Sequence, residues 1–189
     1  LNEIKIAAKL NQSKANIFLE SRAYIRKSLG FLFNLNPLKI PLQSKPGQPP
    51  KLPDMMGNLS ISHSQDALII IWHIHSIGID LERVDRKFNY KSLHEKYFQD
   101  DSKDNFSTLN KLNVLKQWSG VEAAIKWDKG KISNDLAHWK YIKNKKYLFH
   151  DKKNITLKLS QFIFNEWIIS IAYKEKEINY FSEIICANI

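Results

Sequence analysis

Hydrophobic and polar positions alternate with two different periods along the chain. Apolar side chains recur every three or four residues in Ser13–Phe33 and in Phe106–Trp127, which predicts two long helices. Ser13 is a suitable N-cap for the first helix, and Gly130 lies just past the end of the second as a stop signal. A shorter helix is predicted in residues 89–98.

All six prolines lie between Pro37 and Pro53, which predicts an extended loop over this stretch. Continuous apolar runs and strict alternation predict the strands. The predicted strands are residues 58–62, 67–75, 77–83, 138–150, 154–159 and 162–173, with the last of these central. Each half of the chain therefore offers one long helix and several mostly antiparallel strands, and we expect an α+β fold with a boundary near Arg83–Tyr90.

Composition limits the classes of protein that remain. A chain of 189 residues with 43% hydrophobic residues can bury a core, and no apolar run approaches the roughly 18 residues that span a bilayer. The single cysteine, Cys186, cannot form an internal disulfide, so we expect a buried thiol in a cytoplasmic protein. A net charge of +10 favours anionic partners, although a merely soluble basic surface would also account for it.

Two acids end the strand that contains "SIGIDLE". Asp80 and Glu82 point to the same face of a strand, whereas Leu81 points into the core. Like charges on one face repel each other, and a divalent cation such as Mg²⁺ or Mn²⁺ would relieve that repulsion. Two solvated acids paired with Arg83 or Arg86 are the other interpretation, and this motif alone leaves both open.

Polar side chains of two further stretches are candidates for chemistry. Trp118, Glu122 and Lys126 are spaced four residues apart and form one row on the second long helix. An ordinary salt bridge between Glu122 and Lys126 is the other interpretation of this row. The stretch "SISHS" places Ser62 and His63 at a strand end. Imidazole N–H and hydroxyl groups can bind a phosphate, although a polar turn without a ligand has the same composition.

The three stretches occur in one order: Ser-His-Ser, then Gly-Ile-Asp-x-Glu, then Trp-x-x-x-Glu-Ala-x-x-Lys. In this order they resemble the 4′-phosphopantetheinyl transferases of the large, surfactin-synthetase type. The resemblance extends from about Ser21 to Trp127, because "ESRAYIRKSL" is similar to the family's arginine-bearing first helix and "PGQPPKLPD" to its Gly-Lys-Pro loop. The tail past Lys131 carries no motif of the family.

This resemblance implies a fold of two similar α/β subdomains in a pseudo-twofold arrangement, each with a long helix on a small, mostly antiparallel sheet. The subdomains would comprise residues 1–86, with the coenzyme A phosphate site and two metal ligands, and residues 87–189, with the Glu122 helix and the β-rich tail. The implied reaction transfers the phosphopantetheine arm of coenzyme A to a serine of an apo acyl or peptidyl carrier protein. We expect a monomer that binds neither nucleic acid nor membranes.

The resemblance also implies roles for single residues. Asp80, Glu82 and Glu122 would hold Mg²⁺ (or Mn²⁺), and Glu122 would serve as general base. Lys126 would contact the phosphate and stabilise the leaving group. Arg22, Gln48, Ser62, His63 and Lys126 would bind coenzyme A.

Two positions depart from the family pattern. Gln48 stands where the loop lysine is expected, so Lys45 or Lys51 would have to supply the cation, and Val121 replaces the lysine before Glu122. A degenerate transferase that only binds its ligands is therefore an alternative, as is a basic nucleic-acid-binding module. A metal-dependent nuclease would use the acids but has no other motif here, and paired glycosidase carboxylates would stand farther apart than Asp80 and Glu82.

Overall fold

The computed structural model describes residues 2–43, 48–64, 67–98, 110–142, 146–178 and 184–188. The helices are α1 (Asn2–Ala7), α2 (Gln12–Phe33), α3 (Tyr90–Tyr97), α4 (Lys111–Trp127) and α5 (Ile132–Asp135). The strands are β1 (Asn58–Ser64), β2 (Ala67–His73), β3 (Ile77–Arg83), β4 (Trp139–Ile142), β5 (Tyr147–His150), β6 (Ile155–Phe164), β7 (Trp167–Tyr173) and β8 (Ile184–Asn188). The fold is α+β, as predicted.

Two antiparallel sheets organise these strands. The first has the order β1-β2-β8, and the second has the order β3-β7-β6-β5-β4. Strand β7 is an interior strand of the second sheet, which confirms that the strand ending at residue 173 is central. The first sheet receives β8 from the end of the chain, and β3 joins the second sheet by pairing with β7. Strand β3, from the first predicted subdomain, thus lies in the second sheet, and β8, from the second predicted subdomain, lies in the first sheet. The division of the chain at residue 86 stays a prediction.

Helix α2 begins two residues earlier than the capping pattern predicts. The Asn11 side chain accepts the backbone N–H of Lys14 at 3.0 Å, so Asn11 rather than Ser13 is the N-cap. Both residue types satisfy the free N–H groups of a first helical turn, and the spacing of apolar residues does not distinguish between them. The helix ends at Asn34, whose left-handed conformation (φ 52°) lets its N–H reach the carbonyl groups of Gly30 and Phe31.

The second long helix and the last predicted strand also differ from expectation. Helix α4 begins at Lys111, where the Asn110 side chain accepts the N–H of Asn113 at 2.8 Å, and the predicted start at Phe106 lies outside the described residues. The segment 162–173 is a hairpin of β6 and β7 rather than one strand, because Asn165 adopts a left-handed turn conformation (φ 53°). Likewise, the stretch predicted as one strand at 138–150 contains two strands, β4 and β5, on either side of residues that lie outside the described part of the chain.

The sheets and long helices are arranged in four layers. Ile25 and Leu29 of α2 pack against one face of β2, at Leu68 and Ile70. The other face of β2 packs against Ile79, Leu81 and Ile171 of the second sheet, so Leu81 does point into the core. Helix α4 covers the far face of that sheet.

No helix among these described segments combines the length and the apolar composition that crossing a membrane would require. The side chain of Cys186 lies outside the described part of the structure, so its burial stays a prediction.

Tyr141 of β4 forms hydrogen bonds with α4, and removing its hydroxyl group should destabilise the protein. This hydroxyl donates to the carbonyl groups of Lys116 and Gln117 at 3.3 and 3.0 Å. We expect Tyr141→Phe to lower the free energy of unfolding by about 1–2 kcal/mol, since the carbonyl groups lose a donor. Tyr147→Phe is the matched control, because the Tyr147 hydroxyl donates to an exposed carboxylate and its loss should cost less than about 0.5 kcal/mol. Urea denaturation of both variants measures the difference, and equal losses would contradict the assignment.

Candidate active site

Helix α4 lies very close to strand β3 because of one glycine. A Cβ atom on Gly78 would stand 2.0 Å from the carbonyl oxygen of Ala123 and 2.5 Å from the backbone nitrogen of Trp127. Since side chains alternate along a strand, Asp80 and Glu82 share this face with Gly78. The close approach therefore brings the row of polar residues on α4 beside the two acids of β3.

Asp80 is the centre of a buried polar cluster. The residue is only 2% exposed. Its Oδ1 accepts hydrogen bonds from the hydroxyl of Ser62 at 2.9 Å and from the ammonium of Lys126 at 2.6 Å. Lys126 also donates to the Ser62 hydroxyl oxygen at 2.8 Å, so the three groups form a closed triangle. The second oxygen, Oδ2, is buried and receives no hydrogen bond from N–H or hydroxyl groups of the described residues.

Glu82 is buried beside Asp80 but is held by different partners. Its Oε1 accepts the indole N–H of Trp118 at 3.0 Å and forms an ion pair with Arg86. The interpretation of two solvated acids at a strand end is wrong, because Glu82 is only 5% exposed and Asp80 is buried as well. Pairing with Arg86 is confirmed, whereas Arg83 pairs with other acids nearby.

Glu122 completes the cluster from the α4 side. Its carboxyl group lies beside Asp80, and Oε2 lies 4.0 Å from the Lys126 ammonium. Burial, and next the neighbouring charge of Asp80, raises the pKa of Glu122 from an ordinary 4.5 to about 8. The same two causes raise the pKa of Glu82. The cluster therefore holds more carboxyl groups than its nearby cations can neutralise.

The donor set fits a hard divalent cation, which prefers carboxylate oxygens. Oδ2 of Asp80 receives no hydrogen bond from the described residues, and the charge of Asp80 adds to burial in raising the pKa of Glu122, so an added cation would be stabilised here. The oxygens of Asp80, Glu82 and Glu122 nevertheless do not all lie within 4.8 Å of one another. Asp80 and Glu122 are in reach of each other, whereas Trp118 and Arg86 hold the Glu82 oxygen that a shared ion would need.

A cleft of about 500 Å³ opens beside this cluster, between the proline-rich loop, β1 and the end of α4. A volume of this size is typical of small-molecule sites. Its walls include Glu122 and Lys126, together with three further lysines: Lys51, Lys129 and Lys131. Lys51 is one of the two residues expected to replace the missing loop lysine, and Lys45, the other, lies outside the described residues. Lys129 and Lys131 were not anticipated, since they follow the helix in a loop where no spacing rule applies.

The remaining predicted ligand residues lie outside the cluster, and none of them is among the residues that line the cleft. His63 is exposed, and the alternation of β1 directs it away from the face that carries Ser62. Gln48 is exposed next to Pro49, at the edge of the cleft lining. Arg22 lies on α2 and lines a different cavity, with Glu3 and Arg26. The roles of these residues in binding coenzyme A stay predictions.

The position of Val121 in the fold explains why an apolar residue stands there instead of a lysine. It is fully buried in the hydrophobic cluster between α4 and the second sheet, whereas Glu122, one residue later, faces the polar cluster. A lysine at position 121 of this chain would have to bury its ammonium group there, which is costly without a partner. The valine therefore belongs to the packing of α4 and leaves the carboxylates in place.

Comparison with protein-family models and with curated proteins gives no match for the chain. The function is therefore inferred from the site itself and from the motifs that compose it.

The raised pKa of Glu122 makes stability depend on pH when no metal ion is present. Between about pH 5 and pH 8 the unfolded chain releases the Glu122 proton while the folded protein retains it, so stability falls as pH rises. We expect the free energy of unfolding to fall by about 1–3 kcal/mol more for the wild type than for Glu122→Gln across this range. Urea denaturation in the presence of a chelator measures both. Parallel pH profiles for the two proteins would contradict the burial of an ionisable carboxyl group.

Proposed function

We propose that this protein is a 4′-phosphopantetheinyl transferase. It moves the phosphopantetheine arm of coenzyme A onto a serine of an apo acyl or peptidyl carrier protein and releases adenosine 3′,5′-bisphosphate. The observation that carries the proposal is the contact of Asp80 with Glu122 and Lys126 at the wall of a lysine-lined cleft. These residues belong to the second and third motifs of the family, and Ser62 of the first motif joins them.

The finer architecture forms part of the same proposal. Two similar halves would each present a long helix on a small antiparallel sheet, related by a pseudo-twofold axis. The packing of α2 against the first sheet and of α4 against the second supports this arrangement. The cleft between the proline-rich loop and the end of α4 is where the two halves would share their ligand.

Asp80 and Glu122, with Glu82 beside them, are the residues that would hold Mg²⁺. When bound, the cation would polarise the pyrophosphate of coenzyme A and offset the charge that develops on the bridging oxygen. Lys126 at Asp80 and Arg86 at Glu82 are the cations of the chain that neutralise these acids. Lys126 is 30% exposed, so its ammonium group has room to move towards a ligand in the cleft.

Each residue of the site would have a separate role in the transfer. The serine oxygen of the carrier attacks the phosphorus that bears the pantetheine arm, and the bond from that phosphorus to the adenosine bisphosphate breaks. Glu122 accepts the serine proton as general base, since its carboxylate lies at the wall of the cleft beside Lys126. Lys126 donates to the departing phosphate, and the remaining lysines of the cleft hold the nucleotide phosphates by charge.

A basic, non-catalytic module for nucleic acid is the alternative that charge alone allows. It gives no reason for burying Asp80 and Glu82 beneath α4, because acids repel a phosphate backbone. A degenerate transferase is the other alternative, and Gln48 and Val121 motivated it. The burial of Val121 in the core removes part of that motive, since the substitution leaves Glu122 facing the cluster.

Release of adenosine 3′,5′-bisphosphate tests the proposal. The protein is incubated with coenzyme A, Mg²⁺ and a panel of apo carrier proteins, and the nucleotide is separated by chromatography. We expect release only when a carrier is present, and loss of release when the carrier serine is replaced by alanine. Tight, salt-sensitive binding of duplex DNA or RNA with no nucleotide release from any carrier would instead favour the nucleic-acid module.

A further inference from the structure

A second cluster of metal-ligating side chains lies at the C-terminal end of α4, outside the site described above. Asp128 caps α4, Asp135 ends α5, and His150 ends β5. One ligand atom from each lies within 4.8 Å of the others, and no other group of acids and histidines in the described segments is as close. Three separate segments of the chain therefore converge on one point.

His150 is the feature that points to a ligand. Its residue is 1% exposed, and Nε2 is buried with no hydrogen-bond partner among the described residues. This nitrogen lies 3.7 Å from Oδ1 of Asp135, which is beyond hydrogen-bond distance. The Trp139 ring stands edge-on at 4.9 Å and the His138 ring stacks at 5.7 Å, so the imidazole is fixed in this orientation.

Lys153 supplies the positive charge of this cluster. Its ammonium group forms an ion pair with Asp128 and lies 3.4 Å from Oδ1 of Asp135. Its backbone N–H also donates to Nδ1 of His150 at 3.3 Å. The side chain is 41% exposed, so the ammonium group can leave for solvent without crossing the core. The two carboxylates and the imidazole thus surround a cation that is exchangeable.

We propose that Asp128, Asp135 and His150 bind a divalent transition-metal ion of the zinc class in exchange for the Lys153 ammonium group. One imidazole nitrogen and two carboxylate oxygens, with a water as fourth ligand, form a donor set that suits zinc. Bonds of about 2.0–2.2 Å place two ligand atoms of one tetrahedral ion about 3.3–3.5 Å apart. The observed 3.7 Å between His150 and Asp135 is close to that separation.

Metal binding requires the turn that carries Lys153 to move. The Lys153 N–H now donates to Nδ1, so the neutral imidazole carries its hydrogen on Nε2. On binding, the ammonium group and the backbone N–H of Lys153 withdraw together, and the ring hydrogen passes from Nε2 to Nδ1. Lys153 is therefore a competitor for the site, and its removal strengthens metal binding.

This site shares no residue with the one proposed for Mg²⁺, and it differs from that site in having a nitrogen donor. It would bind zinc whether or not the protein is a transferase. A structural metal here would join the end of α4, which carries Glu122 and Lys126, to α5 and to the second sheet.

Zinc titration of the metal-free protein tests the inference. The titration uses the Glu122→Gln variant, which lacks one carboxylate of the other site. A chelator first removes any bound metal and is then itself removed, and calorimetry measures the binding of added zinc. We expect one zinc per chain, binding at least about 10-fold weaker when Asp128→Asn or Asp135→Asn is added. Lys153→Met should bind zinc more tightly, and Asp151→Asn should leave the affinity unchanged, because Asp151 pairs with His138 and Lys140 outside the cluster.

Asparagine preserves the shape of each aspartate, and at position 135 it keeps an oxygen for the N–H of Lys131. Circular dichroism and thermal melting confirm that each variant folds before its zinc affinity is compared. Zinc that binds equally to the Asp128→Asn and Asp135→Asn variants, or no zinc binding in the Glu122→Gln background, would overturn the proposal. Failure of carrier modification would leave this result unaffected.

Discussion

Gly78→Ala should lower the free energy of unfolding by about 3 kcal/mol or more, because the new methyl group has no space to occupy. The atoms it would meet are backbone atoms of α4, at 2.0 Å from the Ala123 oxygen and 2.5 Å from the Trp127 nitrogen. Backbone atoms cannot rotate aside as a side chain does, so α4 itself would have to move away from β3. Urea denaturation of the purified variant measures the loss.

Gly130→Ala is the matched control for this prediction. A Cβ atom at Gly130 would also make a close contact, at 2.5 Å, but its neighbour is the carboxylate of Asp135. A side chain can rotate away, so we expect a loss of about 1 kcal/mol. If Gly78→Ala costs no more than Gly130→Ala, the close packing of α4 on β3 is wrong.

Glu122→Gln should reduce phosphopantetheine transfer by about 10²–10⁴-fold, the range typical of removing a general base. Glutamine keeps the size of the side chain but accepts no proton and offers no negative charge to a cation. The variant should fold, since burial and the neighbouring charge of Asp80 raise the pKa of Glu122, and a neutral side chain at this position removes both costs. Initial rates at saturating coenzyme A, together with circular dichroism, separate lost chemistry from lost structure.

Glu166→Gln is the matched control, because Glu166 is an exposed acid of the β6–β7 turn that pairs with Arg83. Its rate should remain within about twofold of the wild type, as expected for a surface ion pair of small energy. Full activity of Glu122→Gln would contradict the assignment of Glu122 as base. Loss of activity in both variants would show that the assay reports folding rather than chemistry.

Part of the site was predictable because periodicity determines which side chains share a face. The spacing of Trp118, Glu122 and Lys126 places them on one side of a helix, and all three contact residues of β1 or β3 or lie beside them. Alternation along β3 likewise placed Asp80 and Glu82 together and Leu81 in the core. The α+β class followed from the same two periods.

Other features depend on contacts that spacing does not encode. Whether Asp80 and Glu82 are solvated or buried is decided by α4, which covers them only because Gly78 lets it approach. The partners that hold Glu82 apart from the other acids, Trp118 and Arg86, come from different elements. The cluster of Asp128, Asp135 and His150 is assembled from three segments whose spacing in sequence matches no metal motif.

Phosphopantetheine transfer can be read directly from the intact mass of an apo carrier protein. The carrier is incubated with this protein, coenzyme A and Mg²⁺, and in parallel with a chelator in place of Mg²⁺. We expect the carrier to gain the mass of one phosphopantetheine arm at its serine in the first reaction, and to gain nothing with the chelator or with Glu122→Gln. An unchanged carrier mass across acyl and peptidyl carriers, with a folded enzyme and Mg²⁺ present, would show that the protein is not a phosphopantetheinyl transferase.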